Sequence, residues 1–265
     1  LSPALENFDY GHRKHSVELK EGDGMAAQGL NPVEFREGQR TQWNVAATGW
    51  KKWSAKIDEA ATEVSERMVE LAGVESGSRV LDVACGYGEP SLTAAARVGG
   101  EGKVVATDIA AEMLAYGRER AAAAGLENIE FVESSASALD FAEGSFDAAL
   151  SRWGIIFEPD AESALERIRG FLVPGGKMAI SSWGEPPQVP MLAIAMKTAM
   201  EELDVPPPPP GTPGPLSRPT PEALGGLLEA GGFSGVQTEE LDLTLDYASA
   251  EEYSTFVHEI APPIN

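Results

Sequence analysis

Val80-Leu81-Asp82-Val83-Ala84-Cys85-Gly86-Tyr87-Gly88-Glu89-Pro90-Ser91 runs from a short apolar stretch through a turn of small residues to a proline suited to the first position of a helix. Such a turn lets backbone approach a ligand closely. A Gly-x-Gly alone needs no ligand, because glycine also serves a strand-to-helix turn through its backbone angles. Two acids bear on the choice. Asp82 closes an otherwise apolar strand, where an unpaired carboxylate is costly to bury, so a cationic or hydrogen-donating ligand is expected beside it. Asp108 ends the next strand candidate, where a carboxylate can accept both hydroxyls of a ribose.

Outward from this turn, short apolar runs alternate with helical spacing. Strands are predicted at 79–83, 103–107, 129–132, 146–151 and 177–182, and helices at 90–98, 111–124 and 161–172. Strands separated by helices of this length imply right-handed crossovers, hence an α/β fold with a parallel sheet covered on both faces. Upstream, 32–72 has helical spacing ended by Gly73 and reads as two helices. Downstream, prolines at 186, 187 and 190 introduce a helix over 191–203, and Pro206 to Pro210 read either as a stiff loop or as a ligand for a proline-recognising domain. A helix over 221–230, an extended arm from Val236 to Leu245 and a helical stretch over 251–260 follow. The expected organisation is a loosely ordered leader (1–30), an N-terminal helical segment (31–75), a core around the glycine turn (76–183), a proline-rich insertion (184–220) and a C-terminal part of the core sheet (221–265).

Composition narrows the partners. Against 20 Lys and Arg stand 42 Asp and Glu in 265 residues, a formal charge of −22, and a surface that negative repels nucleic acid and anionic membrane. Cys85 is the single cysteine and the three histidines, His12, His15 and His258, are scattered, so no disulfide and no Cys/His metal centre is expected. Without a membrane-length apolar run or a secretory leader, a cytoplasmic protein is expected.

The chemistry of the turn separates two nucleotide ligands. Gly86-x-Gly88-x-x-Ser91 lacks the third glycine of the nicotinamide-dinucleotide fingerprint, and a diphosphate there would face Asp82 and Glu89, two charges of the wrong sign. S-adenosylmethionine has an ammonium, a sulfonium, a ribose and an adenine but no phosphate, and it suits an acidic turn.

With those residues in view, the chain resembles the class I S-adenosylmethionine-dependent methyltransferases, within them the small-molecule subgroup that includes the ubiquinone/menaquinone C-methyltransferases. The likeness covers roughly Trp43 to Leu245. The family's acidic-x-Gly-x-Gly-x-Gly turn is Asp82 to Gly88 here, with Ala84 in place of the first glycine. Asp108 matches the ribose-binding acid, and Ile109 and Met113 fall where apolar side chains flank the adenine. Ser135, followed by Ala136, stands where the family has an adenine-binding Asp. Ser145-Phe146-Asp147, Arg152-Trp153-Gly154 and Leu172-Val173-Pro174-Gly175-Gly176-Lys177 complete the pattern.

The resemblance implies a Rossmann-like, seven-stranded methyltransferase sheet. Its final strand is expected to be missing, or replaced by a second chain or a leader segment such as His15 to Lys20. It implies methyl transfer from S-adenosylmethionine, leaving S-adenosylhomocysteine, to the O, N, S or C nucleophile of a small apolar or aromatic acceptor. The rival reading is a catalytically silent cofactor-binding or regulatory protein on the same fold, for which Ser135 is the feature in favour. Trp43, Trp50 and Trp53 lie at helical spacing and read as core, with a cap over the methionine end of the cofactor as the sharper reading, for which Trp50 is the candidate. Tyr87 faces either solvent or the sulfonium. Arg152 joins the cofactor-binding candidates and, with Trp153 and His258, the candidates for acting on the acceptor: Arg152 to orient a carboxylate or phenolate, Trp153 to stack on a ring, His258 as a general base.

Overall fold

A computed structural model describes residues 31–209 and 211–261 of the chain. The leader, including the strand expected at His15 to Lys20, and Pro262-Pro263 lie outside the described residues. Helix α1 spans Pro32–Leu71, and then come β1 (Arg79–Val83), α2 (Ser91–Val98), β2 (Lys103–Asp108), α3 (Ala111–Ala123) and β3 (Ile129–Glu133). The chain continues through β4 (Phe146–Arg152), α4 (Ala161–Phe171), β5 (Leu172–Ser181), α5 (Pro190–Glu202), α6 (Pro221–Ala230) and α7 (Ala250–Ile260).

All strand pairs are parallel and the sheet order is β3-β2-β1-β4-β5. The chain therefore leaves β1 in one direction for β2 and β3 and returns on its other side for β4 and β5. The carboxyl ends of β1 and β4 flank the point of reversal, where open parallel sheets bind their ligands. Alternation along the strands separates the two faces. Val80 and Leu150 pack under α1 and α2 with Met68, Val69, Ala95 and Val98, whereas Leu81, Val83 and Ala149 pack under α4 and α6 with Leu165, Ile168 and Leu227.

Three expectations are corrected. The first is that 32–72 holds one helix of 40 residues, not two. Asn31 caps it, its side chain accepting from the N–H groups of Val33 and Glu34, and Pro32 opens the first turn. Gly49 does not break it but lets α7 approach: a Cβ there would lie 1.8 Å from the carbonyl oxygen of Glu259. The second is that the described residues form five strands, not the seven of the expected sheet. Val236 to Leu245 is extended but joins no ladder. Its side chains turn to helix packing instead, Leu243 meeting the α1–α2 cluster and Glu239 pairing with Arg67 of α1 at 2.7 Å. The third is that β5 starts at Leu172, which pairs with Phe146 before a register shift at Pro174-Gly175-Gly176. No helix among the described residues is long and apolar enough to cross a membrane.

Candidate cofactor and acceptor site

The turn after β1 uses left-handed backbone at Ala84 (φ 57°), Gly86 (φ 55°) and Gly88 (φ 110°). An alanine in that region is uncommon, and space for it comes from Gly154 after β4, where a Cβ would stand 2.5 Å from the Cβ of Ala84. At Gly86 an added Cβ would meet nothing within 4 Å, so the turn faces open space there. Asp108 ties the turn to β2: its Oδ2 accepts from the Gly86 N–H and its Oδ1 from the Ala110 N–H, each at 2.8 Å. Burial pushes the Asp108 carboxyl up to about 6, against the opposing pull of these backbone donors.

Asp82 is fully buried at the end of β1. Its Oδ2 accepts from the Ser91 hydroxyl at 2.5 Å, while its Oδ1 has no hydrogen-bond partner. Burial raises this carboxyl to about 7, and the Ser91 hydroxyl and the Arg152 charge offset part of the rise. Cys85, buried beside the same two acids, has its thiol held well above the usual range by burial, which suits a core thiol and not a nucleophile.

Tyr87 turns neither to solvent nor into an open site. Its ring is buried, and its hydroxyl donates to Asp58 Oδ1 at 2.8 Å and accepts from Arg152 Nη2 at 3.2 Å. Arg152 also donates through Nη1 to the Ser65 hydroxyl at 2.9 Å, and Arg120 bonds Asp58 Oδ2 at 2.5 Å while its guanidinium lies 4.7 Å from the Tyr87 ring centre. Asp58, Ser65 and Arg120 went unread in the sequence. They lie far from the turn along the chain, and no spacing marks them.

Trp153 (φ 54°) stacks on Trp183 with ring centres 4.5 Å apart and planes 13° apart. These two, with Trp50, Met191, Leu243, Leu245, Phe256 and other apolar side chains, line a cavity of about 30 Å³. Trp50 reaches this cavity, yet its indole N–H donates to the Ile260 carbonyl and its ring lies 5.5 Å from that of Tyr87, so it also packs α1 against α7. Trp43 packs on Phe157 and Trp53 on Phe256, which is the core reading. Of the adenine candidates, Ile109 is half-buried beside Asp108, while Met113 is buried in the cluster with Tyr87 and Phe256. Ser135 is half-buried with its hydroxyl 3.2 Å from that of Ser137, and Ala136 opens the short helical turn packed on the α4 side. His258 is exposed on α7 and does not line the cavity. Among the described residues no group of His, Cys, Asp and Glu is placed to hold a metal ion.

The model of the ubiE/COQ5 methyltransferase family matches residues 60–202, more than half of the chain, from the middle of α1 through the turn to the end of α5. The chain belongs to the ubiE/COQ5 methyltransferase family. The methyl donor of this family is S-adenosylmethionine. Within the family's reach, the chain is 37% identical over 121 residues to aklanonic acid methyltransferase DauC of Streptomyces sp. (strain C5), covering 46% of this chain and 55% of that protein. It is 37% identical over 119 residues to the ubiquinone/menaquinone biosynthesis C-methyltransferase UbiE of Hahella chejuensis, covering 44% of this chain and 48% of that one. The chain thus spans about half the length of the curated relatives it matches. Among solved structures, the YcgJ protein of Bacillus subtilis shares the fold, with a TM-score of 0.52 at 18% identity over 74% of this chain and 83% of that one.

Proposed function

We propose that this chain is an S-adenosylmethionine-dependent methyltransferase whose acceptor is a small apolar or aromatic molecule. The observation that carries the cofactor reading is the pairing of a ligand-facing glycine turn with two buried acids that retain acceptor capacity. Asp82 Oδ1 is buried without a partner, and an ionised carboxylate offers about four lone-pair sites, so Asp108 can hold the turn and still accept from ribose hydroxyls. Gly86 leaves room for close approach, and Ile109 stands next to Asp108 for the adenine. These residues fit S-adenosylmethionine and disfavour a diphosphate. When bound, the cofactor supplies a methyl group activated on a sulfonium, which leaves as a neutral thioether.

The chain's own contribution in this reading is alignment and exclusion of water. Trp50, Trp153 and Trp183 present apolar faces to one cavity at the carboxyl ends of the strands. No ionisable side chain lines that cavity, so the acceptor is one whose attacking atom gives up its proton readily, such as a phenol, an enol or a thiol. At about 30 Å³ the cavity admits no such molecule as it stands. Binding such a molecule requires the cavity wall to move, and Met191 of α5, a helix on the 184–220 segment with no fully buried residue, forms part of that wall. In this division α1 acts as the helical cap, 76–183 as the cofactor core, 184–220 as the acceptor cover and 221–265 as the rest of the core. The names of two relatives, one acting on aklanonic acid and one in ubiquinone and menaquinone biosynthesis, support a small-molecule acceptor, and the charge of −22 disfavours nucleic acid.

The test is transfer of label from methyl-labelled S-adenosylmethionine to a panel of phenols, quinols, enolisable ketones and thiols, with RNA and DNA alongside. Labelling of a small apolar acceptor is expected. Labelling confined to nucleic acid would overturn the acceptor reading, and tight cofactor binding with no transfer across the panel would favour the catalytically silent reading.

A further inference from the structure

Helix α7 and the arm before it bring apolar side chains to the cavity that Trp153 and Trp183 line. Leu243 and Leu245 stand two residues apart on the extended arm and so point to one side of it, and Phe256 and Ile260 stand one turn apart on α7. Trp50 and Ile57 of α1 line the same cavity. All six lie outside residues 60–202, which the family model matches, whereas Asp82, the glycine turn and Asp108 lie within them. The cofactor reading thus rests on what the chain shares with its family, and most of the wall around the proposed acceptor cavity does not.

The α7 side of this wall is fastened to α1. At Gly49 the two helices pass in backbone contact, since a Cβ there would lie 1.8 Å from the Glu259 carbonyl oxygen. The Ile260 carbonyl accepts from the Trp50 indole, and Phe256, 1% exposed, is packed between the rings of Trp53 and Tyr247 at 5.5 and 5.3 Å. Lys52 and Trp53 both donate to the Glu259 carboxylate, and Lys56 pairs with Glu252, although exposed pairs of this kind add little each. Helix α5 has no fully buried residue and meets α7 through the Met191 carbonyl, which accepts from the Tyr253 hydroxyl at 2.7 Å. Close-packed side chains on a helix in backbone contact with its neighbour resist displacement, so the α7 wall is the part of the cavity that yields least to a ligand.

We propose that α7 sets the size limit of the acceptor, with Phe256 and Ile260 as the fixed wall against which the acceptor's ring packs. The inference rests on the acceptor reading given above and deepens it. It names residues that determine specificity and places them beyond the 184–220 segment, on a helix outside the family match. An apolar pocket discriminates by volume, at roughly tenfold or more for each methylene that fits or fails to fit. Trimming this wall therefore changes which acceptor is preferred, while the cofactor residues around the glycine turn are left untouched.

Titration of the full chain, saturated with S-adenosylhomocysteine, with phenol, 2-naphthol and 2-anthrol tests it, the three probes differing in the number of fused rings. Wild type is expected to bind 2-anthrol less tightly than 2-naphthol. Ile260→Ala should raise the affinity for 2-anthrol relative to 2-naphthol by about tenfold, and Phe256→Leu on the same face of α7 by at least about threefold. A merely structural role would weaken all three phenols alike and leave that ratio unmoved. Ile194→Ala, at an exposed position of α5 that does not line the cavity, should keep the wild-type ratio. Affinity for S-adenosylhomocysteine within about threefold of wild type reports an intact fold in each variant. A wild-type ratio in both α7 variants, or 2-anthrol bound by wild type as tightly as 2-naphthol, overturns the α7 wall and leaves the acceptor reading standing. Binding of S-adenosylhomocysteine with none of the three phenols bound by wild type overturns the acceptor reading itself, and the wall with it.

Discussion

The Tyr87 hydroxyl donates to Asp58 Oδ1 at 2.8 Å, joining the glycine turn to the middle of a helix that begins the described chain. This bond couples α1 to the loop that follows β1, and Arg152 and Arg120 extend it to β4 and α3. Replacing Tyr87 with Phe removes one buried hydroxyl with two partners and leaves Arg152 short of an acceptor. A loss of about 1–3 kcal/mol in unfolding free energy is expected, read from urea denaturation. A variant as stable as wild type would show that the hydroxyl network carries no net stability.

Asp108→Ala takes away the acceptor for the proposed ribose contact and the clamp on the Gly86 and Ala110 N–H groups. Affinity for S-adenosylhomocysteine should fall by about 1.5–3 kcal/mol, the range for a hydrogen bond to a charged group. Unchanged affinity by calorimetry would remove Asp108 from the site.

Asp82 and Asp108 make a pH-dependent prediction. Their folded values of about 7 and about 6 lie above the 3.8 of an unperturbed aspartate. Between these values the folded protein holds protons that the unfolded chain has released, so the stability these two groups contribute is complete below the unfolded value and is lost as pH rises toward 7. Asp82→Asn removes the Asp82 share of that loss. Relative to wild type, the variant should therefore gain stability between pH 5 and pH 8, as measured by urea unfolding at both. A difference independent of pH would mean that Asp82 ionises as an ordinary carboxylate. Binding of the cationic cofactor to ionised Asp82 should weaken as pH falls through 7, approaching about tenfold per unit well below it.

Trp183→Ala deletes the ring stacked on Trp153 and one wall of the proposed acceptor cavity. A fall of about five- to thirtyfold in kcat/KM for an apolar acceptor is expected, corresponding to ~1–2 kcal/mol, with cofactor affinity unchanged. Weakened cofactor binding with unaltered acceptor kinetics would place the stack on the cofactor side.

Gly49→Ala separates helix propensity from tertiary contact. In an isolated helix the substitution stabilises by ~1 kcal/mol. Here the added Cβ would meet the Glu259 carbonyl at 1.8 Å, so α7 must move away. The net effect should be a destabilisation of about 1–3 kcal/mol. A stabilised variant would show that α7 is not held at this distance in solution.

Much of the fold was legible along the chain because its elements are local. The turn residues from Ala84 to Gly88, the strand spans near 79–83 and 103–108, and the helix over 221–230 follow from apolar periodicity and from proline and glycine acting on their immediate neighbours. The unity of α1 was not legible. Gly49 lies within that helix where α7, more than two hundred residues later along the chain, needs the space, and no local spacing shows that contact. Periodicity marks the five strands that form the sheet, and the count of seven comes from the family resemblance; whether the extended arm from Val236 to Leu245 pairs with a sheet edge is not something periodicity can say.

The amino-acid order by itself determined the parallel α/β architecture, the acidic glycine turn and the resemblance to the methyltransferase family, because each depends on the types and spacing of residues within a few turns of chain. Only the tertiary structure decided what the charged side chains face. Asp82 is left with an unpartnered oxygen, Asp108 is engaged by backbone N–H groups, and Arg152 is drawn toward Ser65 and Tyr87 and does not line the cavity walled by Trp153 and Trp183. The physical reason is that electrostatic compensation in a folded interior is set by distance through space: Asp58, Ser65, Tyr87, Arg120 and Arg152 come from four separate segments, and only their packing brings hydroxyl, carboxylate and guanidinium within hydrogen-bond reach.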